Sequence, residues 1–272
     1  MRNYLWLPAV LAGMLAGEGA HGAVFSASGA NAAAIQGKVD SFRAALGTNN
    51  GVGGTFASGR REVNWDGVPA GSTDPSLLPA NFFNSNSPRG MELSGSSGFM
   101  VSSSDFSSIN AAYAGQFQEF SSPKLFTGIG SRSYDVTFFI PGTATQTTIT
   151  SFGAVFTDIE IVNSTILQFF DENLSNMGQF AVPVSGDGGL SFLGLTFPGQ
   201  KIKMVRIFQG THALNASNVD GSGVDIVVAD DFIFDEPFNP NAESVPEPST
   251  LGLLGAGMAL VAGLNGWRGR RN

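Results

Sequence analysis

Runs of apolar residues at every second position dominate the chain from Gly98 onward, and turn-forming residues cut them short. Tyr134, Val136, Phe138 and Ile140 alternate with smaller or polar residues, and Val205 and Ile207 alternate with Lys203 and Arg206. A period of two marks a strand with one face buried. Strands are read at 98–102, 134–140, 151–162, 165–170, 179–183, 190–197, 202–209, 224–229 and 231–234. Asp171-Glu172-Asn173, Asp187-Gly188-Gly189 and Pro198-Gly199 supply turn chemistry between them. Many short strands at about 8–12-residue spacing predict a mainly β chain folded as a two-sheet sandwich. The 23 Phe, against three Tyr and three Trp, fit that architecture. A sandwich core about 10 Å thick takes large side chains from both sheets.

One helix interrupts this pattern. Ile35, Val39, Phe42 and Leu46 share one face of 32–46, with Asn31 placed to cap its start and Gly47 its end. It reads as a cap packed on a sheet. Asn49 to Gly59 is a Gly-rich loop, and Arg60 to Trp65 a short strand. Asp66 to Pro88 is a long polar stretch containing Phe82-Phe83, read as buried plugs rather than an exposed platform.

The two ends differ from the middle. Arg2 precedes the apolar run Leu5–Gly17, and Ala20-His21-Gly22 offers small residues for cleavage after Gly22, so 1–22 read as a secretory signal peptide. At the other end, a linker at 239–250 contains Pro246-Glu247-Pro248. An uncharged stretch at 251–267 follows, ending in Trp267, and then a basic tail at 268–272 with Arg268, Arg270 and Arg271. The stretch approaches the ~20 residues that a transmembrane helix needs. Trp267 suits the membrane interface, and the arginines would hold the tail in the cytoplasm. The secreted domain is then 23–238.

This three-part tail resembles the PEP-CTERM sorting signal. The resemblance implies processing by an exosortase, a membrane-embedded transpeptidase-like enzyme that cuts near Pro246-Glu247-Pro248. It implies anchoring at the inner membrane first, then release to the cell surface or extracellular matrix, usually in a cell that makes exopolysaccharide. The prolines keep the motif extended and outside the helix, where a protease can bind it. From Phe152 to Phe234 the chain resembles the jelly-roll modules of secreted bacterial proteins, many of them carbohydrate-binding.

Exclusion narrows the chemistry. The chain has no Cys, so it has no disulfide and no thiolate site. Only His212 lies outside the signal peptide, so a multi-histidine zinc site is impossible. Of the 14 Lys and Arg, four (Arg2, Arg268, Arg270, Arg271) lie in the end segments. Of the 22 Asp and Glu, two do (Glu18, Glu247). That leaves 10 bases against 20 acids from Ala23 to Ser244, a balance that excludes nucleic acid as a partner.

Four groups of residues remain as candidates. Asn218, Asp220, Ser222 and Asp225 alternate around glycines as Ca2+ ligands do, although without the EF-hand register. Asp230 and Asp231 form a second calcium candidate, with an arginine such as Arg60 or Arg61 as the alternative partner. Asn64, Trp65 and Asp66 are the best residues for carbohydrate contact, against the alternative that Trp65 closes the core. Asp158 and Glu160 share a strand face at a spacing a glycosidase pair could use, against the plainer reading of a solvated face. The expected role is non-enzymatic, structural or adhesive, with Ca2+ support and exopolysaccharide contact. A hydrolase using a carboxylate pair is the runner-up.

Overall fold

The computed structural model describes residues 22–242. The signal peptide before Gly22, the Pro-Glu-Pro motif, the uncharged stretch and the basic tail lie outside the described residues. In chain order the elements are β1 (Val24–Gly29), α1 (Ala32–Leu46), β2 (Arg60–Val63), α2 (Phe82–Ser85), β3 (Met91–Ser94), β4 (Gly98–Ser102), β5 (Leu125–Ile129), β6 (Ser133–Phe139) and β7 (Gln146–Thr147). They continue with β8 (Ser151–Ile159), β9 (Ile166–Asp171), β10 (Asn176–Ala181), β11 (Gly186–Thr196), β12 (Ile202–Phe208) and β13 (Val228–Asp235).

Two antiparallel sheets form the predicted sandwich. One runs β1-β11-β8-β13-β5-β4, with β2 also on β13; the other runs β10-β9-β12-β6-β3, with β7 on β6. Between them lies a core rich in Phe, including Phe138, Phe152, Phe169, Phe232 and Phe234. In β6 burial alternates residue by residue, because its sheet has one face in water. β8 is buried at all nine positions. Its sheet is covered on both faces, so alternation disappears there.

Helix α1 supplies part of that second cover. Asn31 caps it through Ala34 N, and Ile35, Val39, Phe42 and Leu46 are its buried residues. They pack on Val155, Leu190, Phe192 and Ile233 of the sheet. Phe42 fits over a floor of two glycines: a Cβ on Gly153 or Gly194 would come within 2.8 or 2.9 Å of its ring. The rest of the outer face is closed by Phe106, Tyr113 and Phe117 with Leu214, Ile226 and Val228.

Several sequence expectations shift by local geometry. β1 was not expected; its small residues Ser26, Ala27 and Ser28 carry little strand signal, and pairing with β11 makes it a strand. Of the expected strands 224–229 and 231–234, residues from Val228 onward form the single β13, with a register break between Ala229 and Phe232, and 224–227 stay outside it. Phe82 and Phe83 are buried plugs, 7% and 3% exposed.

Candidate functional site

Four carboxylates converge where the end of β8 meets the loop that carries Asp220 and Asp225. Asp158 lies in β8 with φ +72°, a conformation unusual for a residue with a side chain. Opposite it the β8–β11 register breaks between Gly186 and Leu190, a bulge that lets Gly188 N donate to Asp158 Oδ1 at 2.6 Å. Gln116 Nε2 donates to Asp158 Oδ2 at 2.6 Å. Glu160 follows two residues on. Asp225 is fully buried; its Oδ2 accepts from Ile161 N at 3.2 Å, which fixes the loop against the strand end. Asp220 Oδ1 accepts from Ile226 N at 2.9 Å.

Asp158, Glu160 and Asp220 each bring one carboxyl oxygen within 4.8 Å of the others. Asp225 adjoins the group, with its carboxyl against that of Glu160. Both Glu160 oxygens and Asp225 Oδ1 are shut off from solvent without a hydrogen-bond donor. Burial, then the neighbouring Asp158 and Asp225, push the Glu160 carboxyl up to about 9. Burial also raises Asp158 and Asp220, and the charges acting on both are other acids, Asp187 among them. Such a group can hold a proton or a hard cation. Its donor set is all oxygen, the set that suits Ca2+ and Mg2+.

The structure thus joins two candidates that are about sixty positions apart in the chain. Asp158 and Glu160 are not on a solvated strand face, and they sit with Asp220 and Asp225. The expected calcium loop divides: Asp220 and Asp225 lie at the carboxylate group, and Asn218 and Ser222 do not. Asn218 turns its amide to Ala213 O, and its carbonyl accepts from Tyr113 OH and Asn110. Ser222 sits in the exposed turn bridged by Gly221 and Val224. No sequence signal pairs β8 with this loop, because the contact is made by the sandwich.

The Asp230–Asp231 candidate resolves toward an arginine, though not one of the two expected. Both acids sit at the register break of β13. Asp230 Oδ2 accepts from Phe120 N and Ser121 N at 2.6 and 3.1 Å, and Asp231 Oδ2 meets Arg43 of α1 at 3.2 Å. Arg60 pairs with Glu62, and Arg61 with Glu236. Burial and the adjacent Asp231 hold Asp230 well above the usual carboxylate range.

The carbohydrate candidate is corrected at its centre. Trp65 is fully enclosed, stacked on Phe126 at 4.0 Å between centroids, with its Nε1 donating to Asp230 O at 2.6 Å. An aromatic ring so placed cannot meet a sugar. Asp66 Oδ1 accepts from Lys124 N at 3.1 Å. Asn64 stays exposed, beside a cavity of about 410 Å³ lined by Phe82, Phe83, Asn86, Ser87 and Arg89. His212 is exposed, and its Nδ1 meets the neighbouring Thr211 hydroxyl at 3.0 Å.

Comparison with known proteins addresses the tail. Residues 244–271 match the family model of the PEP-CTERM protein-sorting motif. The chain carries a PEP-CTERM sorting signal. It is therefore an exported protein, anchored at the membrane before an exosortase processes it. No curated protein and no solved structure matches the chain.

Proposed function

We propose that this chain is a non-enzymatic structural or adhesive protein, released from its membrane handle to the cell surface or extracellular matrix. One observation carries the reading: the sandwich is complete before the sorting signal begins. β13 ends at Asp235, and among the described residues Phe238 is the last that a hydrogen bond ties to the sheets, donating its N–H to Thr148 O and accepting from Thr147 Oγ1. The motif starts at 244. Cutting near Pro246-Glu247-Pro248 therefore removes nothing from the described core. Ala23, the first residue after the expected signal-peptide cut, enters directly into β1, with its N–H on Thr196 Oγ1 at 2.9 Å.

The sealed Asp158–Glu160 pair supports a non-catalytic role. A glycosidase acid must reach the leaving oxygen of a sugar, and the Glu160 oxygens have no opening to solvent. Contact with exopolysaccharide, on this reading, falls to the cavity beside Asn64 rather than to Trp65. Mass spectrometry of the mature protein from its native host tests the proposal. The expected species begins at Ala23 and ends near Pro246–Pro248. A mature form still ending at Asn272 would refute the release.

A further inference from the structure

We propose that Asp158, Glu160 and Asp220 hold one calcium ion, with the buried Asp225 against Glu160, and that the ion pins the 211–225 loop to the end of β8. The site does not depend on where the protein is delivered. Two observations point to it independently. The first is spacing: two oxygens bound to the same Ca2+ at about 2.4 Å lie no more than ~4.8 Å apart. The carboxyl oxygens of Asp158, Glu160 and Asp220 meet that limit.

The second is an orphan. Asp225 is fully buried, its Oδ2 takes the Ile161 N–H, and its Oδ1 has no donor although its carboxyl lies against that of Glu160. Both Glu160 oxygens are orphaned in the same place. A buried carboxylate without a partner costs stability, and proteins either protonate it or give it a cation. No side chain that could neutralise the group bonds to these four acids among the described residues; the side-chain donor present is the neutral amide of Gln116. A divalent cation would balance the acids and bond the orphaned carboxylate of Glu160. The absence of nitrogen and sulfur ligands selects a hard ion. The irregular set of strand-end and loop carboxylates suits the flexible shell of Ca2+ better than the strict octahedron of Mg2+.

The bond would tie together two distant parts of the chain. Asp220 and Asp225 bracket the Gly221–Val224 turn, and Asp225 O holds Thr211 N at 2.9 Å. Calcium would therefore order this loop and leave the two sheets unchanged.

Calorimetric titration of the purified full chain with CaCl2 at pH 7.5, after EDTA treatment, is the direct test. One calcium per chain is expected. A hundredfold excess of Ca2+ over its Kd should raise Tm by roughly 5–10 °C. Glu160→Gln and Asp220→Asn should each abolish the response. Glu160→Gln should in addition melt in EDTA within about 2 °C of the parent, because it keeps the shape and brings in no charge. That second readout separates a lost ligand from a failed fold. No binding heat together with identical Tm in CaCl2 and EDTA would overturn the site. So would an unchanged calcium response in the Glu160→Gln, Asp220→Asn double variant, and an equal rise with MgCl2 would overturn the choice of calcium.

Discussion

Replacing Arg61 with Met tests what holds the Gly-rich loop and the exit of β13 together. Arg61 is fully buried, and its guanidinium is completely engaged. Nε and Nη2 each reach a Glu236 oxygen at 2.6 Å, Nη1 reaches Gly51 O and Gly53 O at 2.9 Å, and Nη2 reaches Gly54 O at 3.0 Å. Glu236 also takes Asn50 Nδ2 at 2.8 Å and Phe56 N at 3.3 Å. One ion pair thus fastens residues 50–56 to the residue that follows β13. Removing only the cation leaves Glu236 buried and uncompensated, which costs about 3–5 kcal/mol. The carbonyls of the loop are partly exposed and can turn to water, so they add little. For a body of this size the loss lowers Tm by roughly 6–20 °C. The double variant Arg61→Met, Glu236→Met removes both charges and should recover a large part, with a coupling of about 1–3 kcal/mol. Urea unfolding of the parent, both single variants and the double variant measures this, and protease cutting within 50–56 reports the loop. If Arg61→Met costs under about 1 kcal/mol, or the double variant loses as much as the sum of its parts, the pair does not act as a charge-compensated clasp.

Two further expectations follow from packing and titration. Gly194→Ala places a methyl within 2.9 Å of Phe42 and Phe192 and should cost about 1–3 kcal/mol; Phe42→Leu added to it should return part of that, and a neutral Gly194→Ala by urea midpoint would show that α1 can shift on its floor. Burial pushes the Asp235 carboxyl up to about 6, although Thr150 N, Thr150 Oγ1 and Ser151 N all donate to it. A raised native value means stability present below pH 4 and lost as pH rises toward 6, by at most about 1.4 kcal/mol per unit. Asp235→Asn should flatten that slope in urea melts between pH 4 and 6, and an unchanged slope would assign the titration elsewhere.

The fold was legible where burial is one-sided and where local chemistry acts alone. β6 shows its period of two because one face meets water, and α1 shows its bounds because Asn31, the four-residue apolar face and Gly47 are local signals. β8 and β13 were read as strands from composition, yet their depth came from a second cover that no local pattern announces. β1 is a strand because β11 offers it an edge. Trp65 reads as a platform or, in preference, as a plug, and a single aromatic residue carries no sign of which side of it the chain will cover.

Determined by the sequence alone were the sorting signal, the two-sheet architecture, the helix and the exclusion of thiolate and multi-histidine chemistry. Each depends on residue type, short spacing or simple count. Tertiary structure alone decided that Asp158 and Glu160 meet Asp220 and Asp225, that Arg43 serves Asp231, and that Arg61 serves Glu236. Those contacts join positions from about 60 to 190 residues apart, and only the register and stacking of the sheets bring such positions within bonding distance.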